Sequence, residues 1–253
     1  MGRSPRRISS TGTYHVIFRG VNHCLIFEDG SDFRKFLKIL SNVKEEFGFL
    51  LYAYCLMNNH GHLLIHEKTA GDMALIMHRL LGSYAQYFNS KYQRSGALIA
   101  NRHKSKCVED DSYLLTLVRY IHQNPLLSKV AASIDEYRWC SYCDYTKAGK
   151  RLTDVSTVLG MFSARENEAC ETFVEFHETL EVNDYSMEVN PGKSEENIHR
   201  IMRAVLGGME PKAVCSLPKE KRDLAIAALR KRGFSVRQIE RATGISRGIL
   251  EVL

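Results

Sequence analysis

Apolar positions in the first half of the chain switch between two periods, and the switches mark out elements. Tyr14 to Arg19 reads His-Val-Ile-Phe after Tyr14 and predicts a strand. From Asp32 to Phe47, apolar Phe33, Phe36, Leu37 and Leu40 recur at helical spacing, with Asp32 near the helix start. Phe49 to Met57 is rich in aromatic and apolar residues and predicts a buried strand. Asn58-Asn59 is a turn signal, and Leu63-Leu64-Ile65 predicts the returning strand. Asp72 to Lys91 predicts a long helix carrying Met73, Ile76, Met77, Leu80 and Leu81 on its apolar side. Ser105 to Val108 fits a fourth strand, and Asp111 to Gln123 a further helix closed by Asn124-Pro125. Strand, helix, hairpin, helix, strand, helix describes an α+β fold, with an antiparallel sheet carrying helices on one face.

Beyond residue 162 the pattern is wholly helical. Ser163-Ala-Arg-Glu166 reads as a capping box ahead of Phe173 and Phe176. Val182 to Gly192 reads as a linker, and Glu195 to Leu206 as a helix. Lys219 to Arg232 is another helix, stopped by Gly233. Ser235-Val-Arg-Gln238 is a second capping box, opening a helix to about Ala242. Thr243-Gly244-Ile245 turns the chain, and Ser246 can cap a last helix to Leu253. No internal repeat or low-complexity segment interrupts this. The expected organisation is a catalytic domain over 1–162, an acidic helical connector over 163–211 and a helix-turn-helix unit over 212–253.

Charge sharpens that division. Residues 1–162 carry 21 bases and 14 acids, 163–196 carry 2 and 10, and 212–253 carry 10 and 4. Two basic ends around an acidic middle suggest two modules that each meet a polyanion. The seven cysteines are scattered, with one close pair, Cys140 and Cys143, and no second pair to complete a zinc site. A reduced, cytoplasmic setting is expected. The N-terminal arginines precede no apolar core, so no signal peptide is expected, and the apolar run Phe47 to Met57 is too short to cross a bilayer.

Two constellations carry candidate chemistry. His60-Gly61-His62 lies in a strand pattern, where residues i and i+2 share a face, so both imidazoles can reach one metal ion. In the helix that follows Asp111, Tyr120 and Asn124 are four apart and share a face distinct from the apolar stripe of Leu114, Leu117, Val118 and Ile121. A phenol is a usable nucleophile for phosphoryl transfer beside a cation that polarises the phosphate, and Asn124 can add an oxygen ligand. Spacing alone does not choose Tyr120 over Tyr113, Tyr84 or Tyr87. His122 sits off the Tyr120–Asn124 face.

Five ordered motifs then make a family visible: Tyr14-His-Val-Ile-Phe-Arg-Gly20, Ile26-Phe27 before an acidic turn, Cys55-Leu-Met-Asn-Asn-His-Gly-His-Leu-Leu64, Arg119-Tyr-Ile-His-Gln-Asn-Pro125 and Tyr137-Arg-Trp-Cys-Ser-Tyr142. Together they resemble the single-tyrosine HUH transposases of the smallest bacterial insertion sequences, especially the REP-associated tyrosine transposases, from about Tyr14 to Tyr145. The resemblance implies a ferredoxin-like catalytic domain. It implies Mg²⁺ or Mn²⁺ on His60 and His62, Tyr120 as nucleophile, and Asn124 in the place of the family's polar third ligand. It further implies cleavage of single-stranded DNA near a hairpin through a 5′-phosphotyrosine, with a free 3′-hydroxyl able to reseal the link. One departure stands out: Gly61 occupies the position between the histidines where the family has a bulky apolar residue. The lost side chain is expected to leave that site under-packed.

Candidate phosphate contacts lie outside the chemistry. They are Arg3, Arg6 and Arg7 in an N-terminal arm, Arg102, Lys104 and Lys106 before the tyrosine helix, and Arg237 and Arg247 in the C-terminal unit. Single-stranded or hairpin DNA is the expected partner, with duplex DNA at the C-terminal unit, no membrane, and a monomer or homodimer. Trp139, the sole tryptophan, suits core packing beside Tyr137 and Tyr142 better than base stacking. Two other functions compete: a DNA-binding regulator that no longer cuts, and a hydrolase in which the histidine pair activates water.

Overall fold

The computed structural model describes residues 7–100, 102–149, 151–181, 185, 191–232, 234 and 236–251. The chain divides into two compact units, Met1–Glu181 and Val182–Leu253. This cuts the expected connector in two, because the helix that follows residue 163 packs within the first unit and the one that follows 190 within the second.

The first unit is built on β1 (Thr13–Arg19), α1 (Gly30–Phe47), β2 (Leu50–Met57), β3 (His60–His66), α2 (Met73–Lys91), β4 (Lys104–Cys107) and α3 (Asp111–Leu127). The four strands form one sheet in the order β2-β3-β1-β4, antiparallel at every junction. That is a split βαββαβ arrangement. Strand alternation sends Tyr14, Val16 and Phe18 of β1, with Leu63 and Ile65 of β3, to one face. There they pack against Phe33, Phe36 and Leu40 of α1 and Ile76, Leu80 and Tyr84 of α2.

The expectation of helices on one face alone does not hold. α3 packs against β2 and β3 and meets the opposite face through Tyr120. With both faces covered, β1 is buried over nearly its whole length, which is why its sequence reads as a run rather than as clean alternation.

Local ends also differ from the sequence expectation. The cap of α1 is Asp29, whose carboxylate accepts from Ser31 and Asp32 amides. Asp32 instead occupies N3 and completes a reciprocal box. Lys91 closes this end of the layer with a 2.7 Å contact to the buried Asp32. α3 runs through Asn124-Pro125 to Leu127. Pro125 falls in the last turn, so its missing N–H removes a single helical hydrogen bond. Asn124 is thereby held inside the helix, 5% exposed.

After α3, residues 139–141 extend the sheet beyond β2. The amide of Leu56 donates to Trp139 O at 2.9 Å and that of Ser141 to Tyr54 O at 3.0 Å, covering an edge that would otherwise be open. Trp139 is a packing residue, stacked on Phe33 at 4.5 Å rather than on Tyr137 or Tyr142. Three helices follow: α4 (Tyr142–Thr146), α5 (Val155–Gly160) and α6 (Glu166–Glu178). The box expected at Ser163 does not form. Arg165 is the cap position of α6 without a side-chain cap bond, and the Ser163 hydroxyl bonds Arg165 N and Glu168 instead.

The second unit contains α7 (Pro191–Val205), a 3₁₀ turn at Pro211–Ser216, α8 (Lys219–Lys231), α9 (Val236–Thr243) and α10 (Arg247–Glu251). Its core joins Met202, Val214, Ile226, Leu229, Ile239, Ala242, Ile245 and Leu250. Gly244 makes the α9–α10 turn at φ +76°, a conformation that favours glycine. Ser235 of the second expected box lies outside the described residues. No helix among the described residues is long and apolar enough to cross a membrane.

Candidate functional site

The two histidines stand at the start of β3, directly after the Asn58-Asn59 turn. His60 pairs across the sheet with Arg19, and His62 with Ile17, which places both imidazoles on the α3 face. Their ring centroids are 5.2 Å apart and nearly perpendicular. In each ring Nδ1 is engaged: that of His60 lies 2.7 Å from Asn59 Oδ1, and that of His62 lies 3.1 Å from His15 Nε2. Ligation of a cation therefore falls to Nε2 in both. Burial, with smaller electrostatic contributions from His60, His15 and Arg19, holds the His62 pKa well below the usual histidine value. The neutral imidazole is the form that binds a metal.

Among the described residues no three His, Cys, Asp or Glu side chains are grouped to hold a metal ion. Among the described residues a third ligand is left to an amide, water or phosphate oxygen, which suits a hard cation such as Mg²⁺ or Mn²⁺. Asn124, one turn beyond Tyr120 on α3 and buried, carries an amide of this kind. Two neutral imidazoles on one sheet face fit a cation that keeps open positions.

Gly61 is not under-packed. The ring of Phe18, its cross-strand partner, lies on the glycine so closely that a Cβ at residue 61 would come within 2.3 Å of it. Phe18 fills the space that a bulky residue 61 would occupy, and stacks on Phe36 at 5.1 Å.

Tyr120 projects from α3 toward the pair. Its ring is 5.7 Å from that of His62 and 6.2 Å from that of His15, edge-on in both cases, and is 5% exposed. The other tyrosines raised by spacing lie elsewhere. Tyr84 is in the opposite core with its hydroxyl on Ile26 O. Tyr87 donates to Asp32. Tyr113 lies under the Lys106 ammonium at 4.6 Å.

Three residues of the same α3 motif face away and grip α6 and the chain after it. Arg119 pairs with Glu181 at 2.6 Å and lies over the Phe176 ring at 4.2 Å. His122 bridges His177 at 3.0 Å and the Ser141 hydroxyl at 2.8 Å, so it is a structural group rather than a ligand. The Gln123 amide donates to His177 O and Thr179 O and accepts from Glu181 N. These contacts fix the rotation of α3, and with it the direction of Tyr120.

Arg19 has no signal of its own in the sequence, yet its guanidinium is within electrostatic reach of Tyr120. Burial lowers its pKa, and the Tyr120 phenol acts in the opposite direction. The alternation of β1 is the signal that groups His15, Ile17 and Arg19. Only strand pairing reveals that this is also the face of His62.

Lys104 and Lys106 are exposed on β4, opposite Ile17 and His15, and so share the histidine face. Arg102 is not brought to the pair: it lines a separate groove of about 460 Å³ with Met77, Leu81 and Leu98. Arg7 is exposed, 4.0 Å from Glu109. Arg247 opens α10, its amide donating to Glu240. Arg3, Arg6 and the Arg237 side chain lie outside the described residues.

The family model described as "Transposase IS200 like" matches residues 8–124, a span that holds all four strands, the histidine pair and Tyr120 and ends at Asn124. Residues 8–124, a little under half of the chain, are thus similar to the IS200-like transposases. Among solved structures, a REP-associated tyrosine transposase bound to a REP hairpin aligns at 14% identity, covering 62% of this chain and 96% of that one with a TM-score of 0.49. A candidate transposase from Deinococcus radiodurans R1 aligns at 19% identity, covering 49% and 95%, with a TM-score of 0.34. No curated protein matches the chain.

Proposed function

We propose that this chain is a metal-dependent DNA transesterase of the REP-associated kind, which cleaves and rejoins single-stranded DNA near a hairpin. The observation that carries the reading is the placement of the Tyr120 ring 5.7 Å from His62, next to a His60–His62 pair on a rigid hairpin. His60 and His62 would hold Mg²⁺ or Mn²⁺ through Nε2, with Asn124 adding an oxygen. The ion, when bound, polarises the scissile phosphate.

The residues of the chain do the rest. Tyr120 Oη attacks phosphorus, the P–O3′ bond breaks, and the phenolic proton ends on the departing 3′-oxygen. The products are a 5′-phosphotyrosine and a free 3′-hydroxyl, and reversal with the same or another 3′-hydroxyl reseals the strand without external energy. Arg19 lies where charge develops and offers electrostatic stabilisation. Lys104 and Lys106 supply backbone contacts that hold the strand along the open side of the sheet. Because the Tyr120 beside His62 belongs to the same chain, a monomer can contain a whole site. The second unit, with basic α8–α10, is a candidate duplex-binding module of helix-turn-helix type, contacting phosphate through Arg237 and Arg247. The N-terminal Arg3, Arg6 and Arg7, with Arg102, would add salt-sensitive affinity.

The test is incubation with hairpin-bearing single-stranded DNA and Mn²⁺. A denaturation-resistant protein–DNA adduct that disappears in Tyr120→Phe supports transesterification. Cleavage that persists in Tyr120→Phe would establish a hydrolase. Binding without cleavage would establish a silent DNA-binding descendant.

A further inference from the structure

The metal-dependent reading gives no part to the residue whose side chain holds the Nδ1 edge of the buried His62. His15 sits in the middle of β1, fully buried. Its Nε2 is 3.1 Å from His62 Nδ1, and the two rings lie edge to edge, with centroids 5.3 Å apart and planes 18° from parallel. Its Nδ1 is buried with no hydrogen-bond partner among the described residues. An apolar residue would fill this strand position without stranding a polar atom, so packing does not account for a histidine here.

We propose that His15 is a positioning residue for His62, holding its imidazole by the Nδ1 edge in the rotation and tautomer that metal ligation requires. The inference rests on the metal-dependent reading above.

With both rings neutral, the hydrogen bond between them has two proton arrangements. In one, His15 Nε2–H donates to His62 Nδ1, and the His62 proton sits on Nε2, which blocks ligation. In the other, His62 Nδ1–H donates to His15 Nε2. His62 Nε2 is then bare, and His15 carries its proton on Nδ1, the atom without an acceptor. Passing from the first to the second moves the shared proton from His15 Nε2 to His62 Nδ1. His62 Nε2 releases one proton to solvent and His15 Nδ1 takes one up, so the total is unchanged. The stranded Nδ1 favours the first arrangement in the metal-free protein, and a cation on His62 Nε2 selects the second. Ligating histidines elsewhere use a carboxylate or carbonyl for this purpose. Here a second histidine does so, and it is neutral and switchable.

The experiment uses the full chain in two measurements. Nitrogen NMR on ¹⁵N-histidine protein, without metal and with Mg²⁺, is expected to show His62 protonated at Nε2 when metal-free and at Nδ1 when loaded. Coupling to His15 Nε2 should be seen across the hydrogen bond. Mn²⁺ affinity is then measured for the wild type, His15→Leu and His15→Gln. His15→Leu is expected to bind ~10–100-fold more weakly. His15→Gln, whose Oε1 can accept from His62 Nδ1–H, should recover most of the affinity. His15→Leu binding within twofold of the wild type overturns the proposal. So does a loaded His62 without the coupling, which needs no variant to fold. A wild type that binds no Mn²⁺ overturns the metal-dependent reading itself, and the inference with it.

Discussion

The ring of Phe18 takes the place of a side chain on Gly61: a Cβ there would lie 2.3 Å from Phe18 Cζ and 2.7 Å from Cε1. The departure from the family pattern between the two histidines is thus compensated within the sheet, and His60 and His62 keep their common face.

Gly61→Val should therefore be harmful despite looking like a return to the family pattern. Overpacking is expected to lower stability by about 1–3 kcal/mol, and Phe18→Ala alone by about 3–5 kcal/mol. The pair is expected to be more stable than the sum of the single losses, because each change relieves the other. Urea unfolding of the four proteins measures this, and strict additivity would refute the compensation.

Arg119 is expected to govern Tyr120 from the far side of α3. Its partner Glu181 is 4% exposed and the arginine 15%, so Arg119→Ala leaves a buried carboxylate and should cost about 3 kcal/mol. Arg119→Ala should also slow adduct formation more than it weakens Mn²⁺ binding, since both imidazoles sit on β3 and only Asn124 shares the helix that shifts. Equal losses in both readouts would point to general unfolding instead.

Acid should destabilise the first unit through its buried histidines. Burial lowers the pKa of His15 to about 3 and that of His177 to about 4, and holds His122 well below the usual value. Depressed histidines bind fewer protons folded than unfolded. Their stabilisation is complete above the unfolded pKa of about 6.5 and is lost as pH falls toward 3–4, at up to about 1.4 kcal/mol per group per pH unit. Urea midpoints should be flat above about pH 7 and fall steeply below about pH 6. A midpoint unchanged between those values would contradict neutral burial.

Lys104 and Lys106 should act on affinity rather than chemistry. Replacing both with glutamine is expected to weaken single-stranded DNA binding and to reduce the salt slope by about 1.4, or ~0.7 per phosphate contact. The adduct yield at saturating DNA should be retained. An unchanged slope would remove these lysines from the interface.

Asn124→Ala is expected to raise the Mn²⁺ dissociation constant by about tenfold, the scale of one lost interaction of about 1.4 kcal/mol. Calorimetric titration reads it directly. An unchanged constant would leave Asn124 as a packing residue.

Much was legible in the chain itself because it depends on local periodicity. The period of 2 around His60 and His62 dictates that they share a face. The helical spacing of Tyr120 and Asn124 puts them on one side of α3. The strand and helix order announced an α+β sheet. What lay beyond reach were facts about which surfaces meet, since those depend on contacts between residues far apart in sequence. Periodicity in β1 groups His15 with Arg19, but only the pairing of β1 with β3 brings them to His62. Helical spacing cannot choose among tyrosines, and only the docking of α3 on the second sheet face, fastened by Arg119, His122 and Gln123 to the chain around His177, turns Tyr120 inward. Gly61 read alone is a missing side chain. Across the sheet it is the space Phe18 requires, because close packing is a property of pairs that the linear order does not display.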